Sequence, residues 1–590
     1  MRDGFSGATI QPVRRRHPMT ENDTLSPEAS PVAERWLPAV LLGIVLAGGV
    51  AVFAQIGGFK FVQFDDPPLV TGNPYVASGL TLDSAVWAFT FREAPGRPPV
   101  EPMARELWAP LSFLSHALDV SLLGGDPGRH HLMSLALHLA ATALVFALIL
   151  GLSARPFAAA LVAAVFCFHP MRVESVAWIS ERKDVLSGLF VLGALNLHAL
   201  GARRPELAGR WFVKIGTPLL FLLACLAKPT VLVAPVLMLL IDGWFARRGR
   251  DPGANGTGGA IAFAARKIRE KWPLWTIAIL VAGVTIVLNR LHGHVADGAE
   301  PGLGDRLARL PAAIAFYLER TVWPARLFPV YPGYPRSFAL GTVLGIAALA
   351  GLTALAWRGR AAFPEWLFGW LWFLVCLAPV LGIVHAGDSF TSDRYTYLAH
   401  IGLSYALAGS LARLMDERKK LAPLLLYPVL AVVFALGIAA HRVTRYWRDS
   451  TWLFERGARV QPDSAANWSN LGAWLAMTGN PQRGIYCLRE AVRLGGEPEA
   501  LYNLADTLRE TGDGELAEIV ALYRDCLSQN PEHAWAMRDL GRVLLEPAAG
   551  EFHDPEEGAA LLEKAAAWFA AQGRADEAAA VRASLPAPRK

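Results

Sequence analysis

Charged residues are scarce in this chain of 590 residues. Asp, Glu, Lys and Arg make up 18% of the sequence, whereas soluble proteins carry about 25%. Hydrophobic residues make up 53%. This composition is typical of a membrane protein and excludes an ordinary soluble enzyme.

Cysteine is also rare, with 5 residues in the whole chain. Three of them (Cys167, Cys225 and Cys376) lie in apolar runs, and Cys487 and Cys526 stand alone, so the spacing gives neither a disulfide framework nor a zinc motif. The 53 Gly and 40 Pro residues follow no fixed period, which excludes a collagen-like chain.

The net charge of +5 is divided unevenly along the chain. Residues 442–590 hold 17 Lys and Arg against 22 Asp and Glu, a net charge of −5, which leaves +10 for residues 1–441. The basic residues of the first part lie in short loops between apolar runs. This pattern marks membrane topology, and no nucleic-acid partner is expected.

The first part contains about eleven runs close to the roughly 20 apolar residues that a spanning helix needs. The runs are 36–56, 131–152, 156–170, 183–201, 211–227, 229–246, 273–291, 338–357, 364–384, 396–414 and 421–441. They predict a cytoplasmic tail over residues 1–35 and an all-α, multi-pass membrane domain over residues 36–441.

The basic loops set the orientation. With the N-terminus inside, four basic loops fall on the cytoplasmic side, and only residues 441–448 disagree. The apolar segment 312–323 contains Glu319 and Arg320, so we interpret it as an outer-face or re-entrant helix. The loop over residues 57–130 then lies outside. It is too long to be a simple connection, and its apolar residues predict amphipathic helices against the bilayer.

Residues 442–590 contain a repeated pattern close to the 34-residue tetratricopeptide period. Trp468-x-x-Leu471-Gly472 is followed by Leu501-x-x-Leu504-Ala505 and by Met537-x-x-Leu540-Gly541. We predict an α-solenoid of about three repeats, with residues 557–585 as a cap. Such arrays offer a groove for extended peptide, although the repeated apolar side chains themselves are expected to be core.

Asp65 and Asp66 lie just outside the first apolar run, in extended chain before Pro67 and Pro68. A carboxylate at the interface suits a general base that takes a proton from a hydroxyl. The spacing alone leaves a solvated loop or a pair of metal ligands equally open.

A second polar cluster lies at the same surface. It comprises His169, Arg172, Glu174, Glu181, Arg182, Lys183 and Asp184, with Lys228, Arg394 and Tyr395 at the ends of other runs. Ionisable groups at this depth are costly unless they are paired or functional. They predict either an internal salt-bridge network between Arg172, Glu174, Glu181 and Arg182 or a clamp for a lipid phosphate.

The histidines do not complete a metal site. His130, His131 and His138 have no cysteine or regular carboxylate spacing beside them, so no metal is expected.

These residues lie in motifs that resemble a known family, the transmembrane and tetratricopeptide repeat-containing O-mannosyltransferases and their bacterial relatives. The similar stretches are Phe64-Asp65-Asp66, Trp108-x-Pro110-Leu111-Ser112, His169-Pro170-Met171-Arg172-Val173-Glu174-Ser175-Val176-Ala177-Trp178, Glu181-Arg182-Lys183-Asp184, Lys228-Pro229 and Asp393-Arg394-Tyr395-x-Tyr397-Leu398. The run from His169 to Trp178 is long enough to be specific.

The resemblance implies a GT-C type glycosyltransferase in a bacterial inner membrane, with its repeats on the periplasmic side. The donor would be a polyprenyl-phosphate sugar, mannose or another hexose, and the acceptor would be Ser or Thr of exported proteins bound through the repeats. Asp65 or Asp66 would be the base, and a single carboxylate would give inversion. No other cofactor is implied.

Two other functions remain open. The chain could be a non-catalytic membrane scaffold that docks partners through its repeats. A transporter is less consistent with the sequence, because the charged groups gather at one surface and form no chain across the midplane.

Overall fold

The computed structural model describes residues 31–105, 108–250, 256–291, 303–329, 331, 338–381 and 391–586. This part of the chain is helical and contains no β-strand, which confirms the predicted all-α class. Most of the predicted N-terminal tail lies outside the described residues.

The first part of the chain is a bundle of long helices joined by short helical turns. Its helices are α1 (Pro31–Phe53), α2 (Leu82–Thr90), α3 (Pro110–Leu123), α4 (Pro127–Ser153), α5 (Pro156–Phe168), α6 (Arg182–Arg203), α7 (Gly216–Ala227), α8 (Ala234–Phe245), α9 (Gly256–Glu270), α10 (Trp272–Leu291), α11 (Leu303–Val322), α12 (Phe338–Gly359), α13 (Pro364–Leu377), α14 (Ala399–Glu417) and α15 (Ala422–Thr444). Each of the eleven apolar runs overlaps one of these helices.

Several of these helices are long and apolar enough to cross a membrane, so the chain is a multi-pass membrane protein. Six helices of the described residues meet that criterion, and eight do so if two bent pairs each count as one span. The run 211–227 and the described part of the run 364–384 form shorter apolar helices. The expected eleven crossings therefore exceed the six to eight that length and composition support.

Helix α11 covers the segment that was interpreted as an outer-face or re-entrant helix. It runs from Leu303 to Val322, packs on α12, and is not among the candidate spans of the described chain.

The long outer segment has a small core of its own. Tyr75 stacks on Trp87 at 5.2 Å between ring centroids, and Phe113 meets Trp87 edge-on at 5.0 Å. Leu122 of α3 remains 69% exposed. The apolar residues that were expected to lie on the bilayer are therefore divided between an internal core and an exposed face.

The second part is an array of stacked helices. These are α16 (Ser450–Val460), α17 (Ala465–Met477), α18 (Pro481–Arg493), α19 (Pro498–Thr511), α20 (Leu516–Gln529), α21 (Ala534–Leu545), α22 (Pro555–Ala571) and α23 (Ala575–Ala583). Consecutive helices pack on each other, as in helical repeats.

A close helix crossing recurs within the array. A Cβ at Gly472 would lie 2.9 Å from the Gly484 carbonyl oxygen, and one at Gly541 would lie 3.0 Å from that of Gly558. Leu471 and Leu504 are buried, which agrees with their expected role as core. The specific assignment to the tetratricopeptide class stays a prediction.

The array begins at the end of the bundle that carries the outer loop. The Lys60 amide donates to the Arg448 carbonyl at 3.0 Å, and the Gln63 amide donates to Ser450 Oγ at 2.8 Å. At the opposite end, Arg155 pairs with Asp416 at 2.8 Å. The outer loop and the start of the array thus share one end of the bundle, and Arg155 and Asp416 lie at the other.

The close packing of α13 on α14 can be tested by substitution. A Cβ at Gly402 would overlap the Gly369 carbonyl oxygen, because the two helices approach through these glycines. Gly402→Ala is therefore expected to cost about 1–3 kcal/mol of stability, measured as a lower thermal unfolding midpoint in detergent.

Gly351→Ala is the matched control, since an added Cβ there meets no atom within 4 Å. We expect it to keep the wild-type midpoint. Equal midpoints for the two variants would contradict the close crossing.

Candidate functional site: a cavity at the outer end of the bundle

A cavity of about 100 Å³ lies between the outer segment and the start of α6. It is lined by one carboxylate, one ammonium group, one imidazole and two serines among apolar neighbours. Its lining residues are Asp65, Leu69, Met103, Ala109, Ser112, Phe113, His116, Ser180 and Lys183.

Asp66 points away from this cavity and is fully buried. Its carboxylate accepts the Val62 amide at 2.9 Å, the Ser180 amide at 3.1 Å and the Ser180 hydroxyl at 2.6 Å. Burial raises the pKa of Asp66 to about 6, although these hydrogen bonds favour the charged form. Asp66 therefore ties the outer loop to the segment before α6.

Asp65 has a different environment from its neighbour. It is half-buried and lines the cavity. The two residues that the sequence could not distinguish are thus separated by geometry, because Ser180 and Val62 occupy the oxygens of Asp66 and Asp65 faces the open space.

The cations and acids of the second polar cluster pair mainly with each other. Lys228 Nζ lies 2.5 Å from Asp184 and 3.2 Å from Glu181, and Arg394 lies 3.3 Å from Glu181 and also contacts Glu174. The Ser175 hydroxyl donates to Asp184 at 3.0 Å. The contacts form an internal salt-bridge network, but its cations are Lys183, Lys228 and Arg394 instead of the Arg172 and Arg182 that the sequence suggested.

Lys183 belongs to this network and also reaches the cavity. Its Nζ lies 3.1 Å from Glu181, and its side chain is 13% exposed. Among the cations of the predicted cluster, Lys183 is the one that lines this cavity in the described part of the chain.

Arg182 does not line the cavity and contacts α3 and α4 instead. It pairs with the carboxylate of Asp119, and its second terminal nitrogen donates to the His130 carbonyl at 2.6 Å. It thereby fixes the start of α6 to α3 and α4.

His169 and Arg172 lie in a separate buried network against α11 and α14. Arg172 donates to Thr396 Oγ1 at 2.5 Å and approaches His400 Nδ1 at 3.1 Å. His169 Nε2 lies 3.0 Å from the Thr321 carbonyl. Neither residue lines the cavity, so their predicted contact with a lipid phosphate has no support from this geometry.

Tyr395 is half-buried beside Arg394, whose guanidinium carbon lies 5.3 Å from the centre of the tyrosine ring. It supports the guanidinium and lies outside the cavity lining.

Comparison with characterised proteins finds similar chains that are named protein O-mannosyl-transferases. Protein O-mannosyl-transferase TMTC1 of Homo sapiens is 22% identical over 506 residues, which is 78% of this chain and 55% of that protein. Protein O-mannosyl-transferase Tmtc1 of Drosophila melanogaster is 34% identical over 147 residues, 25% of this chain and 17% of that protein. Tmtc2 of the same organism is 29% identical over 189 residues, 31% and 20% of the two chains.

The resemblance to the transmembrane and tetratricopeptide repeat-containing O-mannosyltransferases is therefore confirmed. No protein-family model matches the chain. The chain spans about half the length of the human relative.

Two features of the site are not evident from the sequence. Ser180 anchors Asp66 with both its amide and its hydroxyl, and its only signal was its place next to the run Glu181–Asp184. His116, Asp119 and His130 converge beside the cavity. Their sequence signal was a His-x-x-Asp pair on one helix face, followed by a histidine after a short turn.

The raised pKa of Asp66 predicts a pH effect on stability. Between about pH 4 and pH 6 the folded chain keeps a proton that the unfolded chain has lost. The free energy of unfolding therefore falls as the pH rises through this window and is flat above it. Asp66→Asn should remove this contribution, measured as the difference between the unfolding midpoints of wild type and variant from pH 4 to pH 7.

Asp83→Asn is the control, because the Asp83 side chain is 52% exposed and its difference from wild type should change little over the same range. A difference for Asp66→Asn that stays constant with pH would contradict the buried, raised-pKa carboxyl.

Proposed function

We propose that the chain is a membrane glycosyltransferase of the GT-C type. It transfers mannose or another hexose from a polyprenyl-phosphate donor to Ser or Thr hydroxyls of exported proteins. The observation that carries the proposal is that the Asp65 carboxylate and the Lys183 ammonium line the same cavity. The names of the similar proteins, protein O-mannosyl-transferases, support mannose as the sugar.

Asp65 is the proposed general base. The acceptor hydroxyl oxygen attacks the anomeric carbon, and its proton passes to the Asp65 carboxylate. The bond between that carbon and the phosphate oxygen breaks, and the polyprenyl phosphate leaves as an anion. Because the leaving group is already a stable anion, the site needs no strong general acid.

Lys183 is the proposed partner of the donor phosphate. A cation placed beside the leaving oxygen stabilises the charge that develops there. Lys183 shares the carboxylate of Glu181 with Lys228 and Arg394, which are also paired with Asp184 and Glu174, so Glu181 neutralises the Lys183 ammonium only in part. Lys228 and Arg394 do not line the cavity, and they hold Glu181 in place beside Lys183.

The lining of the cavity supports the proposed inversion. Asp65 is the one carboxylate among the residues that line the cavity in the described chain. With that carboxylate used as the base, the other lining residues that the structure describes offer no carboxylate to form a covalent sugar intermediate. A single displacement inverts the anomeric carbon.

The helical array is the proposed acceptor-binding part. It starts at the cavity end of the bundle, where Gln63, two residues before Asp65, is hydrogen-bonded to Ser450. In a bacterial inner membrane this end would face the periplasm, with the basic loops in the cytoplasm. An exported chain held in the array groove would then have its hydroxyls near the donor.

The first functional test replaces the base. Asp65→Asn keeps the size of the side chain and removes its ability to accept a proton, so transfer from polyprenyl-phosphate mannose to an exported acceptor should fall about 10²- to 10⁴-fold. The measurement is incorporation of labelled sugar by purified protein in lipid nanodiscs.

Asp83→Asn is the matched control, since Asp83 lies in the same outer segment and pairs with Arg97 at 3.3 Å, outside the cavity lining. It should transfer at the wild-type rate. Wild-type transfer by Asp65→Asn would remove the proposed base. No transfer by the wild type with any lipid-linked sugar would favour the scaffold function.

The second test replaces the phosphate contact. Lys183→Met keeps the length of the side chain without its charge and should raise KM for the lipid-phosphate donor by about ten- to a hundredfold, the value of a charged hydrogen bond. KM for the acceptor should change little. An equal KM for the donor in Lys183→Met and wild type would contradict the assignment.

A further inference from the structure

Three side chains beside the cavity have the donor set of a transition-metal site. His116 and Asp119 lie one turn apart on α3, and His130 lies in the first turn of α4. One ligand atom from each residue lies within 4.8 Å of the others, and all three residues are buried.

A tight connection produces this convergence. Only residues 124–126 separate α3 from α4, and Gly124 has a φ of 75°, which favours glycine. The Asp126 carboxylate accepts the Arg129 amide at 2.9 Å and begins α4. The turn therefore brings His130 onto the face of α3 that carries His116 and Asp119.

The His130 ring is oriented so that the lone pair of its Nδ1 points toward the Asp119 carboxylate. Its Nε2 lies 3.3 Å from the Gly124 carbonyl oxygen, which can only accept, so Nε2 carries the hydrogen and Nδ1 is left as an acceptor. Nδ1 lies 3.4 Å from Asp119 Oδ2 and makes no hydrogen bond in the described structure. The two facing acceptors need a proton or a metal ion between them, and Arg182 already donates to the same oxygen, Asp119 Oδ2.

The spacing fits a metal ion. Two ligands at bond lengths of about 2.0–2.1 Å from a tetrahedral zinc ion are about 3.4 Å apart. Nδ1 of His130 and Oδ2 of Asp119 already have this separation. The Gly124 carbonyl orients the imidazole through its other nitrogen, as is usual for histidine ligands.

The third ligand is also available. Nδ1 of His116 is buried without a hydrogen-bond partner in the described chain, which is costly for an imidazole nitrogen. His116 also lines the cavity, so a fourth coordination position can open toward it. This set of two imidazoles and one carboxylate matches the three protein ligands of open zinc sites.

From these contacts we infer that His116, Asp119 and His130 bind a divalent transition-metal ion of the zinc class. The ion joins α3 to α4 at the wall of the cavity. Arg182 contacts the same carboxylate, so its positive charge makes the affinity lower than that of a site without a guanidinium. The inference does not depend on the proposed sugar transfer.

The test is a metal titration of the full-length protein. Purified protein in nanodiscs is stripped with a chelator and dialysed, and Zn²⁺ binding is followed by equilibrium dialysis with elemental analysis. Wild type should bind about one equivalent at a saturable site. His116→Gln should bind at least about tenfold more weakly, because it loses one of three protein ligands.

His131→Gln is the matched control. His131 is a buried neighbour of His130 but its Nε2 faces the Lys60 carbonyl at 3.4 Å, outside the cluster. It should bind Zn²⁺ like wild type. Lack of stoichiometric binding by wild type, or wild-type binding by a His116→Gln/His130→Gln double variant, would overturn the inference.

A second measurement uses wild type alone and does not depend on the folding of variants. Co²⁺ bound to two imidazoles and a carboxylate in a four-coordinate site gives an intense visible absorption band, and Zn²⁺ should displace it. A weak spectrum like that of Co²⁺ in water would also overturn the inference.

Discussion

The carboxylate of Glu181 lies between 3.1 and 3.3 Å from Lys183, Lys228 and Arg394, which come from three separate parts of the chain. A buried ion without partners costs several kcal/mol, so this carboxylate can be buried only when the three parts meet. Asp184 and Glu174 balance the remaining charge. The network therefore fixes the segment before α6, and with it Ser180, which anchors Asp66 and the outer loop.

This arrangement assigns different roles to residues of the same type. Glu181, Lys228 and Arg394 compensate each other inside the protein, and Asp66 is held by Ser180 and Val62. Asp65 and Lys183 remain at the cavity, where they can act on a substrate. A carboxylate and a cation that line one cavity suit the proposed transfer of a group away from a phosphate.

The sequence predicted the all-α fold, the helical array and the polar cluster, because apolar runs, repeat spacing and scarce charge are local signals. It could not rank Asp65 against Asp66, since burial depends on Ser180, 114 residues later. Nor could it foresee that Arg172 contacts Thr396 and His400 inside the protein. The apolar runs predict about eleven crossings, whereas length and composition select six to eight spans among the described helices, because some runs form shorter helices, as at residues 211–227.

The most direct test of the account is a cryo-electron microscopy structure with a bound, non-hydrolysable polyprenyl-phosphate mannose analogue. The account predicts that the phosphate lies within hydrogen-bond distance of Lys183 Nζ and that the anomeric carbon faces the Asp65 carboxylate across the cavity. A donor bound at the opposite end of the bundle, or with its phosphate away from both residues, would contradict it.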